Sequence, residues 1–197
     1  MNRIKIIKIS FLAFGGLTCL ILLTLRATGL APGHPSADKY LNAGRSARPG
    51  LWLKGEVFRE PVKNWDWVKK FSDPFSENAT ELETRTWYGI PHSVTILPVP
   101  LGEKLYLQSS GQTFRLKKGF PHGKAWWRNI ERDPRVRLKI NGKLYEMTAV
   151  LIQDKAEVTR LRGGLNPTVK ETDANGNEYI TEEWHYWRVF QRNISEY

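Results

Sequence analysis

From Ile9 to Leu25 the chain runs without a charged side chain, and Phe11, Leu12, Phe14, Leu17, Leu20, Ile21, Leu22, Leu23 and Leu25 make that run strongly apolar. Few folds admit such a stretch. With Lys8 and Arg26 snorkelling at its ends it reaches across a hydrocarbon core that needs about 20 helical residues, and lipid leaves the backbone no better option than helix. Arg3, Lys5 and Lys8 also form the basic leader of a cleaved secretory signal. The retained anchor fits better, because the run exceeds the ~7 to 15 residues of a signal core and Arg26 follows without a small-x-small cleavage pattern. Three cationic side chains before the run and one soon after it keep the N-terminus in the cytoplasm. The expectation is therefore a single-pass protein of the cell membrane with an extracytoplasmic C-terminal domain, held to membrane lipid by the helix.

The rest of the chain must fold in that setting. Its only cysteine, Cys19, lies inside the apolar run, so the exported part has no thiol to oxidise. The whole chain carries a net charge of +10, and setting aside Arg3, Lys5, Lys8 and Arg26 leaves six more basic than acidic residues outside the membrane. That surface suits anionic headgroups or a phosphorylated ligand; a nucleic-acid partner is not expected of an exported, tethered domain. Residues 1–27 read as a short cytoplasmic tail and anchor. Residues 28–50, rich in glycine and proline and poor in large apolar groups, read as a flexible linker. Residues 51–197 are long enough for one domain with a proper core and short for two.

Within that domain short β-like runs recur between turn signals: Leu51 to Phe58, Leu82 to Tyr88, Ser93 to Val99, Lys104 to Ser109, Val136 to Ile140, Leu144 to Ile152 and Trp184 to Gln191. Asn141-Gly142 supplies the two positive φ angles of a type I′ turn. With Ile140 opposite Lys143, Leu138 faces Tyr145 and Val136 faces Met147 on one side, and Arg137 falls opposite Glu146 on the other. A helix is expected from Gly123 to Asp133, stopped by Pro134, and a second from Lys155 to Gly163-Gly164. The fold class is mainly β, an α+β arrangement of a closed or nearly closed barrel with one or two short helices behind the transmembrane helix.

Metal chemistry finds no support. His34, His92, His122 and His185 are scattered without cysteine partners. Asp173, Asn175 and Asn177 resemble the start of a calcium loop, but Glu178 stands where glycine is needed and Trp184 where a bidentate glutamate is needed, so a hairpin turn at Asn175-Gly176 explains the segment better. The segment from Ser109 to Arg128 is more suggestive: Ser109, Ser110 and Gly111 can offer hydrogen bonds to a phosphate, and Arg115, Lys117, Lys118, Lys124 and Arg128 can neutralise it. Trp126 and Trp127 can flank a planar ring, although core packing is the commoner fate of tryptophan on such a helix. His92, after Pro91, is a substrate-contact position or an ordinary surface or capping histidine. No catalytic residue is identifiable.

The order Ser109-Ser110-Gly111, Lys124-Ala125-Trp126-Trp127-Arg128-Asn129-Ile130 and Asp133-Pro134-Arg135-Val136 before a hairpin resembles the flavin-binding split barrels. These include the pyridoxamine-phosphate-oxidase-like proteins and the deazaflavin-dependent nitroreductases. Trp126, Asn129, Ile130, Pro134 and Val136 match the latter's Trp-x-x-Asn-Leu helix and Asn-Pro-x-Val pattern, and Gly89-Ile90-Pro91 resembles its Gly-x-Pro turn. The resemblance covers roughly residues 82 to 152. Trp87-Tyr88 stand where the deazaflavin group has a basic pair, and Ser110 where it has lysine.

The resemblance implies a split barrel binding FMN before deazaflavin F420 and passing a hydride or electrons to a quinone-like or nitro-aromatic acceptor. It implies Lys117, Lys118, Lys124 and Arg128 on the phosphate, Ser109 and Ser110 as hydrogen-bond partners, Trp126 over the ring and a homodimer around the cofactor. The alternatives are a cofactor-free binding or scaffold domain at the membrane surface, and haem held by His92 or His122.

Overall fold

Asn141 and Gly142 take φ of 49° and 77°, and the hairpin they close is the spine of a curled half-barrel sheet. The structure, a computed structural model, describes residues 3–33, 48–73, 75–109 and 126–193, with residues 3–9 as backbone only. In chain order the elements are α1 (Arg3–Thr28), β1 (Glu56–Val57), a 3₁₀ helix (Asp66–Phe71), β2 (Glu81–Thr84), β3 (His92–Thr95), β4 (Pro98–Leu101), β5 (Lys104–Ser109), α2 (Trp126–Arg132), β6 (Arg135–Ile140), β7 (Lys143–Leu151), α3 (Lys155–Leu161), β8 (Thr168–Thr172), β9 (Glu178–Glu183) and β10 (His185–Gln191). Among the described residues one helix, over Ser10–Thr28, is long and apolar enough to cross a membrane.

The sheet runs β3-β2-β6-β7-β10-β5-β4, with β1 added in parallel to β7. The β6–β7 register is the one the turn dictates: Ile140 pairs with Lys143, Leu138 with Tyr145 and Val136 with Met147. These apolar side chains point inward with Leu82, Leu105, Leu107, Trp187 and Val189 to form the main core. The opposite face of β5 and β10 carries a smaller cluster in which Tyr106 and Tyr186 pack with Val158 of α3.

Several elements differ from the sequence expectation for identifiable reasons. Of Leu51 to Phe58 only Glu56–Val57 joins a ladder, because the backbone ahead of it has other partners: Leu51 and Trp52 bond the Leu30 backbone, Leu53 N donates to Glu83 at 2.5 Å and Leu53 O accepts from Arg137 at 3.3 Å. Leu82 to Tyr88 ends as a strand at Thr84, where the chain bends toward Gly89, whose φ is 83°. Ser93 to Val99 divides into two strands, the second holding Pro98 and Pro100 at the sheet edge, where missing amide donors are tolerated. Of the helix expected from Gly123 to Asp133, Trp126–Arg132 is helical, and residues 123–125 lie outside the described set. Arg137 is opposite Glu146 as the register requires, but its ion pair goes to Glu83 on the neighbouring strand, at 3.1 Å.

Asn175-Gly176 forms the expected turn between β8 and β9. The Asp173 carboxylate accepts from the amides of Asn175 and Asn177 at 2.8 and 2.9 Å, so it caps a turn. Among the described residues no group of three or more metal-ligating side chains comes together.

Part of residues 28–50 lies on the sheet. Gly50 exchanges both backbone hydrogen bonds with Ser93 of β3, at 2.8 and 2.9 Å, while Leu30 bonds Trp52 and Leu51. A methyl group on Gly50 would sit 2.4 Å from the Leu30 carbonyl oxygen and from Ser93 Oγ, so only glycine permits this approach.

Candidate active site

Two places gather polar side chains at the domain surface. The first is the end of the half-barrel where α2 packs against β2 and β3. Ser109 ends β5 directly opposite His185 of β10 and is buried. Two residues along β10, Trp187 meets Trp126 edge to face, with ring centroids 5.3 Å apart. Trp126 is 4% exposed and belongs to the main core. The following residue, Trp127, is half-buried, and the Arg128 guanidinium lies over its ring at 5.2 Å. The exposed cation–aromatic surface of α2 is therefore Trp127 with Arg128.

Asn129 ties α2 to the sheet by donating to Thr84 Oγ1 at 2.9 Å, and Thr84 in turn donates to the His92 carbonyl at 3.3 Å. Thr84 and His92 are paired residues on the same sheet face. Burial pushes the His92 imidazole below its ordinary pKa, because the charged form loses solvation. Its Nδ1 is buried with no hydrogen-bond partner among the described residues. Ser110, Lys117, Lys118 and Lys124, the other predicted phosphate and hydroxyl groups, lie outside the described residues. The structure thus brings Ser109, Trp126, Arg128 and His92 to one end of the barrel. It adds His185, whose place depends on a pairing of strands far apart in sequence.

The second place, which sequence reasoning missed, is a cavity of about 470 Å³ on the other side of β2 and β6. Arg85, Arg135, Arg137 and Arg192 line it with Glu83, Asp133 and Glu146, and Trp52 and the turn from Thr86 to Pro91 form its walls. The Arg135 guanidinium grips Asp133 with two bonds, at 2.7 and 2.8 Å, and Arg85 Nε stands 3.9 Å from the same carboxylate. Arg135, chiefly through these hydrogen bonds, holds the Asp133 carboxyl down at about 2. Arg192 donates to the Met147 carbonyl at 3.0 Å. Arg135 and Arg137 alternate along β6 in Arg-Val-Arg-Leu-Lys-Ile, so period two alone would have put both on one face.

The profile of a family described as F420H(2)-dependent quinone reductase matches residues 106–179. Comparison with curated proteins gives no match. Among solved structures, that of a conserved hypothetical protein from Mycobacterium tuberculosis is similar at 16% identity and a TM-score of 0.35, covering 70% of this chain and 86% of that one. From Tyr106 in β5 through α2, the β6–β7 hairpin and α3 to Tyr179 in β9, the chain is similar to the F420H(2)-dependent quinone reductases, and the match is partial.

Proposed function

We propose that this chain is a membrane-tethered oxidoreductase that moves a hydride from reduced deazaflavin F420 to a quinone of the bilayer. The observation that carries the reading is the family match over residues 106–179, which takes in Ser109, the lysine-bearing segment, α2 and the β6–β7 hairpin. It ranks F420 ahead of FMN, the reverse of the order that Trp87-Tyr88 and Ser110 suggested from sequence. The apolar helix over Ser10–Thr28 supports a lipid-soluble acceptor, since it would keep the domain at the bilayer where such a molecule dissolves.

The described residues fit such a cofactor at the α2 end of the barrel. His92 offers a buried ring nitrogen with no partner there, Trp127 offers an aromatic face, and Arg128 offers a cation beside it. Ser109 with Ser110, and Lys117, Lys118 and Lys124 with Arg128, are the proposed hydroxyl and cationic partners of the phosphate. When bound, the reduced deazaflavin supplies the hydride. A quinone that accepts a hydride must also gain a proton to become a quinol, and in this reading His92, with its unpartnered Nδ1, passes it. Burial favours the neutral imidazole, which would act as a relay, taking up a proton at one ring nitrogen as it gives one up from the other, so that no net charge is left buried. Trp126 backs the site from inside the core, and a homodimer is proposed from the resemblance.

The test uses full-length protein in quinone-loaded liposomes, following oxidation of added F420H2 and, separately, binding of F420 and FMN by fluorescence. F420H2 oxidation that requires quinone is expected, and Arg128→Ala should weaken F420 binding roughly ten-fold, the equivalent of one charge-assisted hydrogen bond. Failure to bind F420 or to oxidise F420H2 would sink the assignment. Binding of neither cofactor would leave a scaffold domain.

A further inference from the structure

The arginine-lined cavity sits beside the end of α1. That helix stops at Thr28, and two residues later Leu30 donates to the Trp52 carbonyl at 3.1 Å and accepts from Leu51 N at 2.7 Å. Trp52 is a wall of the cavity. Two extended residues reach at most about 7 Å, and the polar layer on each side of a bilayer's hydrocarbon core is about 5 to 8 Å thick. A spanning α1 therefore sets the cavity at the depth of the lipid headgroups.

The chemistry of the cavity suits that depth. Four guanidiniums face three carboxylates. Arg137 is taken by Glu83, and Arg135 and Arg85 share Asp133. Glu146 accepts from Asn193 at 2.6 Å. Burial lowers the pKa of Arg192, and Arg85 and Arg135 lower it further against the opposing pull of Glu146 and Asp133. An anionic oxygen among Arg85, Arg135 and Arg192 would relieve that repulsion with charge-assisted bonds. Trp87, which lines the cavity, is 79% exposed, and the 56% exposed Tyr88 meets it edge to face at 5.3 Å. Such rings are favoured at the membrane–water interface.

We propose that this face docks the domain on the bilayer, with the phosphate of an anionic phospholipid headgroup held by Arg85, Arg135 and Arg192 and with Trp87 and Tyr88 in the interface. The proposal rests on the reading of α1 as a membrane anchor. Docking would also orient the site, because Pro91 lines the cavity and His92 follows it at the barrel end, so a lipid-soluble acceptor would approach from the side where the domain already touches lipid.

Spin labels on the full-length protein test this in nanodiscs of phosphatidylcholine alone or mixed with phosphatidylglycerol. One label goes on native Cys19; others go on Tyr88→Cys and Asn175→Cys in a Cys19→Ser background. Accessibility to oxygen against a water-soluble nickel complex reads their depth. The label at 88 should be lipid-exposed in discs containing phosphatidylglycerol and largely aqueous without it, while the label at 175 stays aqueous. Arg85→Gln and Arg192→Gln should each lower the ratio of docked to undocked domain about five-fold, from roughly 1 kcal/mol per basic residue at an anionic surface. An aqueous label at 88 in every disc, with Cys19 deep in lipid, overturns the docking and leaves the anchor standing. An aqueous Cys19 label removes both. A docked label indifferent to phosphatidylglycerol and to both arginine variants overturns the phosphate assignment, as does loss of F420 affinity in those variants at unchanged depth.

Discussion

Glu83 and Arg137, directly opposed on β2 and β6, meet at 3.1 Å, and both bond the backbone of Leu53. Glu83 is nearly buried, with its side chain 8% exposed, and Arg137 is 28% exposed. The chain from Leu51 to Lys54 is thus held to the sheet by a charge pair where its ladder bonds are missing. Breaking such a pair on one side leaves an uncompensated charge, which costs about 3 to 5 kcal/mol when burial is complete. Glu83→Ala should lie at the low end of that range, since Arg137 retains some solvent. The double change Glu83→Leu with Arg137→Met should be milder than Glu83→Ala, as neither charge remains to be solvated. Urea denaturation of the three proteins checks the order; a double variant less stable than Glu83→Ala would show that the Leu53 contacts outweigh the pair.

Gly50 gives a second handle on the same segment. Any side chain there must displace the Leu30 carbonyl, the Pro32 nitrogen or Ser93 Oγ, all within 2.5 Å of the added carbon. Overpacking of this kind costs about 1 to 3 kcal/mol. Because the contact lies between the chain after α1 and the β3 edge, Gly50→Ala should release locally. Hydrogen exchange should accelerate at the amides of Gly50 and Ser93, which bond each other's carbonyls, and stay unchanged in the β6–β7 hairpin. Uniform acceleration across the sheet would refute a local effect.

His92 ties stability to pH with a definite sign. Burial lowers its pKa from the ordinary 6.5, so in the window below that value the unfolded chain binds more protons than the folded one. Stability contributed by the neutral imidazole is complete above the unfolded pKa and falls as pH drops toward the folded one. The slope for one group cannot exceed about 1.4 kcal/mol per pH unit. Thermal unfolding measured downward from pH 7.5 should show falling Tm, and His92→Gln should flatten the profile. An equal slope in the variant would assign it to other groups; Asp133 is not one of them near pH 6, because its contribution is lost only as pH falls from its ordinary 3.8 toward about 2.

The sequence was most legible where local signals agree. Asn141-Gly142, the alternation on either side of it and the side-chain polarity all specify one register, and each predicted pair occurs. It was least legible where a partner comes from far along the chain. The Arg137–Glu83 pair needs β2 beside β6, the placing of His185 beside Ser109 needs β10 beside β5, and neither adjacency leaves a trace in the hairpin pattern. Leu51 to Leu53 have strand-like composition, yet side chains rather than a neighbouring strand bond the Leu53 backbone. Propensity does not register that substitution of partners. For Trp126 the two readings, core packing and cover for a planar ring, share the same helical spacing, so the sequence does not separate them; the structure adds its contact with Trp187.

That contact makes a prediction with two readouts. Trp126 is almost fully buried against Trp187 and Ile130 lies in the same cluster, so Trp126→Ala should destabilise the domain by about 3 to 5 kcal/mol. Trp126→Phe keeps an aromatic ring in the core and should lose less, with the domain still folded. If the ring serves packing alone, Trp126→Phe should bind F420 as the native protein does while unfolding at lower temperature. If it covers the cofactor directly, affinity should fall even in samples whose folded fraction is unchanged. Fluorescence titration at a temperature well below the Tm of both proteins separates the outcomes, and unchanged affinity is expected, because Trp126 is almost fully buried in the main core.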